Sequence, residues 1–260
     1  MIKIISGYSD KGGSTTAFIN LTNALNDAGI ECVFYGPHAW HLNQCRAALI
    51  GELQYNPDDN IISHFLQLGS RPDVKKIVLS CHEKWWYPVG RIKQFWDEAI
   101  FLHEEHRKYH ADYRGPYSII PNIKEPLFPK DKEELDLVAG IIGGIEDRKQ
   151  THISIQRALK DKCKKILIFG GINEQGYFEA NVKPLLNSKI EMLGHSTNKQ
   201  EMYDMVGRVY HSSKGEVACL VKDECYLTNT KFFGNEETNN EVSTLTNQEV
   251  IELWRNKFEL

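Results

Sequence analysis

Strand-like and helix-like segments alternate along this chain, and this alternation limits the fold more than any other feature of the sequence. The first segments are a strand at residues 3–6, a Gly-containing loop, a helix at 15–28 that Gly29 closes, and a strand at 31–35. Together they form a strand–helix–strand unit. Because strands that alternate with helices pair in parallel, this order predicts an α/β fold with a doubly wound parallel sheet.

The alternation stops once and then restarts. Between residues 116 and 132, four prolines stand among charged residues, a composition typical of a connection rather than of a packed element. We therefore predict two Rossmann-like domains, residues 1–126 and 127–260. The other predicted elements are strands at 60–64, 76–80, 135–142, 165–169, 189–193 and 231–233, and helices at 93–110, 150–160, 177–186, 199–206 and 247–258.

Composition excludes several classes of protein. The chain has 260 residues, with 31 Lys and Arg against 35 Asp and Glu, and a formal charge of −4. These values are typical of a globular protein and exclude collagen-like, coiled-coil and wholly disordered chains. The slightly acidic balance also argues against a protein whose main task is to coat nucleic acid, but it leaves a local basic groove open.

Two further features concern the location of the protein. No run approaches the roughly 18 apolar residues of a membrane-spanning helix, and the N-terminus leads into a strand with no secretory signal ahead of it. The six cysteines are scattered, with no Cys-x-x-Cys pair, and we interpret them as reduced thiols. We expect a cytoplasmic protein with no integral membrane segment.

The loop from Ser9 to Thr16 joins the first strand to the first helix, where unpaired N–H groups and the helix dipole favour an anion. Gly12 and Gly13 would let the backbone approach a phosphate or a sugar closely. A tight turn with an ordinary N-cap is the alternative. The Lys-Gly-Gly sequence there also resembles the deviant Walker loop of partitioning ATPases, but it lacks that family's further Gly-Lys before the threonine pair.

Two later segments carry charged residues near strand ends. A Gly-Gly loop places Arg148 and Lys149 at the start of a predicted helix, where cations oppose the helix dipole. A bound diphosphate would explain them, and a solvated basic pair on a surface turn is the alternative. Glu216 and Glu224 are eight positions apart, so a helix that begins near Val217 would bring them to nearly the same face. Carboxylates so placed could accept hydrogen bonds from sugar and ribose hydroxyls.

Histidines supply further candidates. His103, His106 and His110 fall on one predicted helical face, a spacing that can bind metal. No carboxylate or cysteine completes a persuasive set, so we assign no metal site. His64 ends a predicted strand, and His82 follows the next one closely. Both are therefore candidates for a cleft, with a structural role as the alternative.

Three aromatic residues, Trp85, Trp86 and Tyr87, follow shortly after His82. They could form a platform for an acceptor, since sugar rings present apolar faces that pack on aromatic side chains. Packing within the core or between domains is the alternative. Bases could stack on the same side chains, which would make the acceptor a nucleic acid.

In their order along the chain, these segments resemble the retaining glycosyltransferases of the GT-B fold, in particular family 4 (glycosyl transferases group 1). The similarity covers nearly the whole chain. The matching segments are the Gly12-Gly13 loop, Val78 to Glu83, Ile119 to Asn122, Gly143 to Lys149, and Glu216 to Glu224. The resemblance implies a compact GT-B fold, in which two Rossmann-like domains face each other across a cleft. The N-terminal domain would hold the acceptor and the C-terminal domain the nucleotide sugar.

The resemblance also implies roles for individual residues. Arg148 and Lys149 would neutralise the donor diphosphate. Glu216 would contact the transferred sugar and Glu224 the ribose, while His82 would lie beside the anomeric carbon. The implied catalytic residues are His82, Arg148, Lys149 and Glu216. The implied donor-binding residues are Gly12, Gly13, Gly143, Arg148, Lys149, Gly170, Glu216, Val217, Ala218 and Glu224, and the implied acceptor-binding residues are His64, Trp85 and Trp86.

Three departures from the family pattern are visible, and one is that Val217, Ala218 and Cys219 replace the small residues usual just after the first glutamate. Gly144 stands where many members have arginine, which leaves one phosphate contact fewer and makes Arg148 more important. The sequence Asn229-Thr230-Lys231 replaces the usual Gly-Thr-Pro after the second glutamate, which affects donor contacts there.

The activity implied is that of a hexosyl- or pentosyltransferase. It would move a sugar from a UDP- or GDP-sugar to a hydroxyl acceptor with retention, in the synthesis of a surface glycan. No metal or other cofactor is expected, and the chain has no Asp-x-Asp, the sequence with which GT-A enzymes hold a divalent cation.

Three alternatives stay open. The chain could glycosylate a modified base in DNA, it could be a nucleotide-binding ATPase switch of the partitioning type, or it could be a degenerate transferase that only binds. Nucleic acid is therefore a possible partner, but it is not the favoured one.

Overall fold

The computed structural model describes residues 1–9, 12–65, 70–84, 95–196, 198–238 and 242–260. The described chain forms two compact units. One consists of Met1–Lys124 together with Ser243–Leu260, and the other of Glu125–Val242. This division differs from the predicted second domain, 127–260, because the last helix belongs to the first unit.

The first unit contains a seven-stranded sheet in which neighbouring strands pair in parallel. Its strands are β1 (Ile2–Ser6), β2 (Cys32–Gly36), β3 (Ala47–Leu49), β4 (Asn60–His64), β5 (Lys76–Ser80), β6 (Glu98–Phe101) and β7 (Tyr117–Ile119). The spatial order is β3-β2-β1-β4-β5-β6-β7, so the direction of winding reverses between β1 and β4. Ligands of doubly wound sheets bind outside the carboxyl ends of the strands at such a reversal. Ser6 and His64, the paired last residues of β1 and β4, lie there.

Three α-helices of the described residues belong to the first unit. They are α1 (Gly13–Asp27), α2 (Glu104–Tyr109) and, from the end of the chain, α7 (Asn247–Phe258). The buried side chains of α7 are Val250, Ile251, Trp254 and Phe258. They share one hydrophobic cluster with α1 and with strands of the first sheet. Burial of a large apolar side chain is worth about 1.5–3 kcal/mol, and these contacts attach the helix to the first unit.

The second unit contains a five-stranded parallel sheet with the order β10-β9-β8-β11-β12. Its strands are β8 (Val138–Ile142), β9 (Lys165–Phe169), β10 (Ile190–Gly194), β11 (Arg208–Tyr210) and β12 (Lys231–Phe233). Its helices are α3 (Thr151–Lys160), α4 (Gln175–Tyr177), α5 (Lys199–Asp204) and α6 (Leu220–Leu227), and α4 continues into a π-helical turn at Phe178–Val182. The winding reverses between β8 and β11, so the loops that follow these two strands lie side by side.

Two parallel sheets confirm the predicted α/β class, and most predicted elements are present. The predicted helix at 93–110 is wrong in its middle, where the apolar run from Ala99 to Phe101 forms β6 between β5 and β7. Only the short helix α2 follows it. The segment 116–132, predicted as a connection, also contains β7. No helix in the described part of the chain is long and apolar enough to cross a membrane.

Candidate functional site

In the second unit, the loop that follows β8 passes very close to the loop that follows β9. Gly143 has a φ angle of +130°, and a Cβ atom at Gly170 would lie 1.9 Å from the Gly143 carbonyl oxygen. A side chain at Gly170 would therefore push the two backbones apart, and Gly143 adopts an angle that other residues rarely reach. The structure thus brings these two predicted donor-binding glycines together.

The two predicted cations stand at the end of the first of these loops. A single 3₁₀ turn, Asp147–Lys149, is followed by Gln150 with a φ angle of +47°, and α3 begins one residue later. The ammonium group of Lys149 donates to Oε1 of Glu216. Nη1 of Arg148 lies 3.7 Å from the same oxygen. Two predicted cations and one predicted carboxylate therefore meet at the carboxyl edge of the second sheet.

Glu216 is ionised, and a histidine helps to hold it. Burial opposes ionisation of Glu216, but a hydrogen bond with His211 and the charge of Lys149 outweigh it and hold the pKa well below its usual value. His211 directly follows β11, is 3% exposed, and places Nε2 at 3.2 Å from Oε1 of Glu216. Burial lowers the pKa of His211 against the opposing hydrogen bond with Glu216. A neutral His211 therefore donates its Nε2–H to the carboxylate.

Further contacts join the loop after β11 to the loop after β8. The backbone N–H of Lys214 donates to the carbonyl of Arg148 at 2.8 Å, and its ammonium group pairs with Asp147. Nη1 of Arg148 donates to the carbonyl of Gly215 at 3.3 Å. Cations and carboxylates thus alternate along this edge. Such a site can bind a diphosphate when a cation exchanges part of its contact with a carboxylate for a phosphate oxygen.

Glu224 has different surroundings. It is 5% exposed, and its two oxygens accept hydrogen bonds from the ammonium group of Lys199 at 2.6 Å and from the hydroxyl of Tyr203 at 2.7 Å. The ammonium group also donates to Glu125 at 2.7 Å. Burial lowers the pKa of Lys199, but the charges of Glu224 and Glu125 outweigh it, so the pKa is raised. Lys199 is therefore a cation held between two carboxylates.

Glu216 and Glu224 do not share a helical face, although their spacing predicts it. Helix α6 begins at Leu220, so Glu216 lies in the loop before it, and Val217 and Ala218 lie in the connecting segment. Hydrogen bonds and ion pairs to the loop after β8 hold residues 214–216 and keep them out of the helix. The two glutamates therefore belong to two different clusters of the second unit.

In the first unit, Gly12 and Gly13 stand at the start of α1. Gly12 is the N-cap residue, with extended backbone angles, and no described side chain caps the helix there. Gly13 is the first residue of α1. The two glycines therefore stand at a helix N-terminus, whereas Lys11 lies outside the described residues, and an anion site there stays a prediction.

The structure brings His64 and His82 together, with ring centroids 5.4 Å apart. His64 Nδ1 bonds with the hydroxyl of Ser6 at 2.8 Å, and its Nε2 lies 2.9 Å from Oε1 of Glu83. Oε2 of Glu83 accepts the backbone N–H of His82 at 3.2 Å. Burial, His64 and His106 together lower the pKa of His82 well below its usual value. The His82 ring is therefore neutral at neutral pH.

Two further histidines bond to the backbone of Glu83. Nε2 of His106 and Nε2 of His110 lie 3.1 and 2.8 Å from its carbonyl oxygen. His103 instead caps α2 by accepting the N–H of His106 at 3.1 Å. In the described residues, no group of three or more His, Cys, Asp and Glu side chains is arranged to hold a metal ion. The predicted acceptor residues Trp85 and Trp86 lie outside the described residues.

Among the residues of these loops and clusters that were not predicted from the sequence are Glu83, Lys199 and His211. Asn173, in the loop after β9, is another, and its side-chain amide donates to Glu146 at 2.9 Å. His211 directly follows β11, as His82 closely follows β5, but the three residues of β11 were not predicted as a strand, so this signal was hidden. Asn173 and Lys199 had no such signal, because each acts through a contact with a loop or helix more than 20 positions away.

The whole chain is similar in fold to known glycosyltransferases. No protein-family model and no curated protein matches the sequence. Among solved structures, HepE of Anabaena in complex with UDP-glucose has a TM-score of 0.69 at 14% identity, over 99% of this chain and 89% of its own. AviGT4, a glycosyltransferase involved in avilamycin A biosynthesis, has a TM-score of 0.67 at 12% identity, over 100% of this chain and 97% of its own.

A third similar structure is WaaG, a glycosyltransferase involved in lipopolysaccharide biosynthesis. Its TM-score is 0.65 at 10% identity, over 100% of this chain and 91% of its own. At these identities the comparisons show the fold, and they agree with the two parallel sheets described above. The family 4 assignment stays a prediction. The chain has the GT-B glycosyltransferase fold.

Proposed function

We propose that this protein is a glycosyltransferase that takes a sugar from a UDP- or GDP-sugar and transfers it to a hydroxyl group with retention of configuration. The observation that carries the proposal is the cluster of Arg148, Lys149 and Glu216 at the carboxyl edge of the second sheet, in a chain with the GT-B fold. HepE, which shares this fold, is described in complex with UDP-glucose. UDP-glucose is therefore the first donor to test.

The cations of this cluster suit the leaving group. As the bond from sugar to diphosphate breaks, negative charge accumulates on the diphosphate. Arg148 and Lys149 are held near one another before the reaction by their contacts with Glu216, Glu146 and the Gly215 carbonyl, and would stabilise that charge by exchanging part of these contacts for phosphate oxygens. Two side-chain cations supply here the charge that a divalent ion supplies in metal-dependent enzymes, so we propose a reaction that needs no metal.

Glu216 would act on the sugar rather than on the phosphates. Its low pKa keeps it ionised, and an ionised carboxylate accepts hydrogen bonds from hydroxyl groups but repels phosphate oxygens. Lys149 and His211 both point at Oε1, so the orientation of this carboxylate is set before a donor binds. We therefore assign Glu216 to the hydroxyl groups of the transferred sugar.

The remaining assignments are part of the same proposal. Glu224 is held by Lys199 and Tyr203 and would meet the ribose hydroxyls with lone pairs that these two donors leave. Neutral His82 would lie beside the anomeric carbon, where it can exchange a hydrogen bond with a sugar hydroxyl. WaaG, of the same fold, is involved in lipopolysaccharide biosynthesis, which supports a role in making a surface glycan. All six cysteines are free thiols, as expected for a cytoplasmic reaction.

The experiment is a calorimetric titration with UDP, GDP and ATP, each with and without Mg²⁺. We expect UDP or GDP to bind without metal, and Lys149→Ala to weaken that binding about 30-fold, because a charge-assisted hydrogen bond is lost and Glu216 then repels the diphosphate. Lys165→Ala is the matched control, since Lys165 is exposed and stands at the opposite end of β9. Binding of ATP with Mg²⁺ alone would contradict the proposal.

A further inference from the structure

The loop after β9 (residues 171–174, called the β9 loop here) is bonded to the loop after β8 along its length. The N–H of Ile145 donates to the carbonyl of Gly171 at 2.8 Å. The carbonyl of Ile145 in turn accepts the N–H groups of Asn173 at 3.1 Å and of Glu174 at 3.2 Å. Three backbone hydrogen bonds therefore fix the β9 loop against the segment that leads to Arg148 and Lys149, which are called the cation pair here.

The side chain of Asn173 continues this contact towards Arg148. A Cβ atom at Gly144 would lie 2.2 Å from Nδ2 of Asn173, so the amide fills the space that this glycine leaves open. The same Nδ2 donates to Oε2 of Glu146 at 2.9 Å. The other carboxylate oxygen, Oε1, lies 3.0 Å from Nη2 of Arg148. Asn173, Glu146 and Arg148 thus form a chain of hydrogen bonds from the β9 loop to the cation pair.

We propose that Asn173 is a positioning residue for diphosphate binding: through Glu146 it holds the guanidinium of Arg148 where it can reach the phosphates of a nucleotide sugar. This inference rests on the function proposed above. Asn173 would act through Glu146 and not through a contact of its own with the ligand. Gly144 then has a role as well, because any larger residue there would displace the amide of Asn173.

The need for such a residue follows from the exposure of Arg148. Half of its side chain is exposed, and a free arginine loses about 2 kcal/mol of rotamer entropy when it is fixed. Glu146 removes part of that cost before the ligand binds, but only if its own carboxylate has one orientation. A bond from Nδ2 of Asn173 to one oxygen leaves the other oxygen directed at Arg148.

Asn173 gives a cleaner test than Glu146. Removal of Glu146 would also remove a negative charge from the site, which by itself favours an anion and would mask the loss of positioning. Asn173→Ala changes no charge. A matched control is Asn187→Ala, which deletes an exposed amide that precedes β10 in the same unit.

The experiment measures binding of UDP and UMP to four proteins: the parent, Asn173→Ala, Arg148→Ala and the double variant. We expect Asn173→Ala to weaken UDP about fivefold and UMP by less than twofold, since UMP lacks the second phosphate. In the Arg148→Ala background, Asn173→Ala should have no further effect on UDP. Asn187→Ala should bind both ligands as the parent does.

A second variant also tests the hydrogen bonds that connect Asn173, Glu146 and Arg148. Gly144→Ala places a methyl group against the amide of Asn173, and we expect the same fivefold loss for UDP. Because Asn173→Ala removes the clash, adding Gly144→Ala to it should change UDP binding no further. This pair of variants keeps the test informative if Asn173→Ala alone folds poorly.

The outcomes separate this inference from the function on which it rests. Equal losses for UDP and UMP, or an equal loss with and without Arg148, would overturn the role of Asn173. If Lys149→Ala weakens UDP while Asn173→Ala does not, the donor site stands and only the positioning role fails. If neither variant changes UDP binding, the donor site itself is wrong.

Discussion

The ammonium group of Lys199 lies 2.6 Å from Oε1 of Glu224, and the hydroxyl of Tyr203 lies 2.7 Å from the other oxygen of the same carboxylate. Burial raises the pKa of Tyr203 well above its usual value, and the neighbouring carboxylate adds to the effect. The hydroxyl therefore stays protonated and donates. A carboxylate in this position has a structural role in addition to any contact with a ligand.

Glu224→Ala should therefore destabilise the second unit. The substitution leaves the hydroxyl of Tyr203 buried without its acceptor and removes one of the two carboxylates of Lys199. We expect a loss of about 3 kcal/mol in the free energy of unfolding, measured by urea denaturation. Glu224→Gln, which keeps the shape and one acceptor oxygen, should cost about half as much. Glu201→Ala, at an exposed position on α5, is the control, and an equally small effect at both sites would contradict the structural role.

Substitution of Glu216 should affect the binding of UDP and of UDP-glucose differently. Glu216→Gln removes a negative charge beside Lys149 and Arg148, so both cations become free to meet phosphate oxygens. We expect UDP to bind about threefold more tightly to the variant. UDP-glucose should lose the additional affinity that its sugar contributes, because the amide accepts hydrogen bonds less strongly than the carboxylate.

Calorimetric titration of both ligands into parent and variant measures the two effects. Glu191→Gln, on an exposed carboxylate of β10 paired with Lys165, is the matched control and should change neither. Weaker binding of UDP by Glu216→Gln would show that the carboxylate orients Lys149 more than it competes with the diphosphate. Unchanged binding of both ligands would place the donor elsewhere.

Most elements that were predicted correctly from the sequence have several apolar residues at one period. The strand β9 and the helix α7 have the predicted bounds, because each has enough residues to display its period and a clear break on either side. The strands β3, β7 and β11 were missed, and each has only three residues, whereas β12, which is equally short, has its predicted bounds. The strand β6 was hidden because charged residues on both sides gave its surroundings a helical pattern.

In the candidate site too, some features could be predicted from the sequence and others could not. Lys149 and Arg148 could be predicted because their place before a helix opposes the helix dipole, a conflict that is visible in the sequence itself. The pairing of Lys149 with Glu216 and the contact of Asn173 with Glu146 could not, since both depend on which loops the strand order brings together. A reversal of winding between β8 and β11 cannot be inferred from a strand's own residues.

A substitution at Gly170 tests whether the close approach of the loops after β8 and β9 supports Arg148 and Lys149. A Cβ atom there would lie 1.9 Å from the carbonyl oxygen of Gly143, which belongs to the backbone and cannot rotate away. We expect Gly170→Ala to lower the free energy of unfolding by about 3 kcal/mol and to weaken UDP binding at least tenfold. The control is Gly176→Ala, since a Cβ at Gly176 meets nothing within 4 Å. Thermal unfolding and titration with UDP measure both effects.

The histidines around Glu83 predict how the stability of the first unit depends on pH. His106 accepts the N–H of Leu102 at Nδ1, at 3.2 Å, and donates from Nε2 to the carbonyl of Glu83. A second ring proton would face the N–H of Leu102, so only the neutral ring fits. Burial accordingly lowers the pKa of His106 to about 3, against the opposing hydrogen bond with Glu83. Burial lowers the pKa of His82 and His110 as well.

The pKa of His106 is lower in the folded protein than in the unfolded chain, and this fixes the direction in which stability changes with pH. Below about pH 6.5 the unfolded chain binds a proton at His106 and the folded chain does not, so stability falls as the pH falls from there towards 3. At 1.36 kcal/mol per pH unit, His106 alone should cost about 2 kcal/mol between pH 6.5 and 5, measured by urea denaturation across that range. His106→Gln should make the slope shallower, although it lowers stability at pH 8, whereas His38→Gln, at an exposed position, should leave the slope unchanged. A slope that is the same in the parent and in His106→Gln would show that the ring of His106 does not resist protonation in the folded protein.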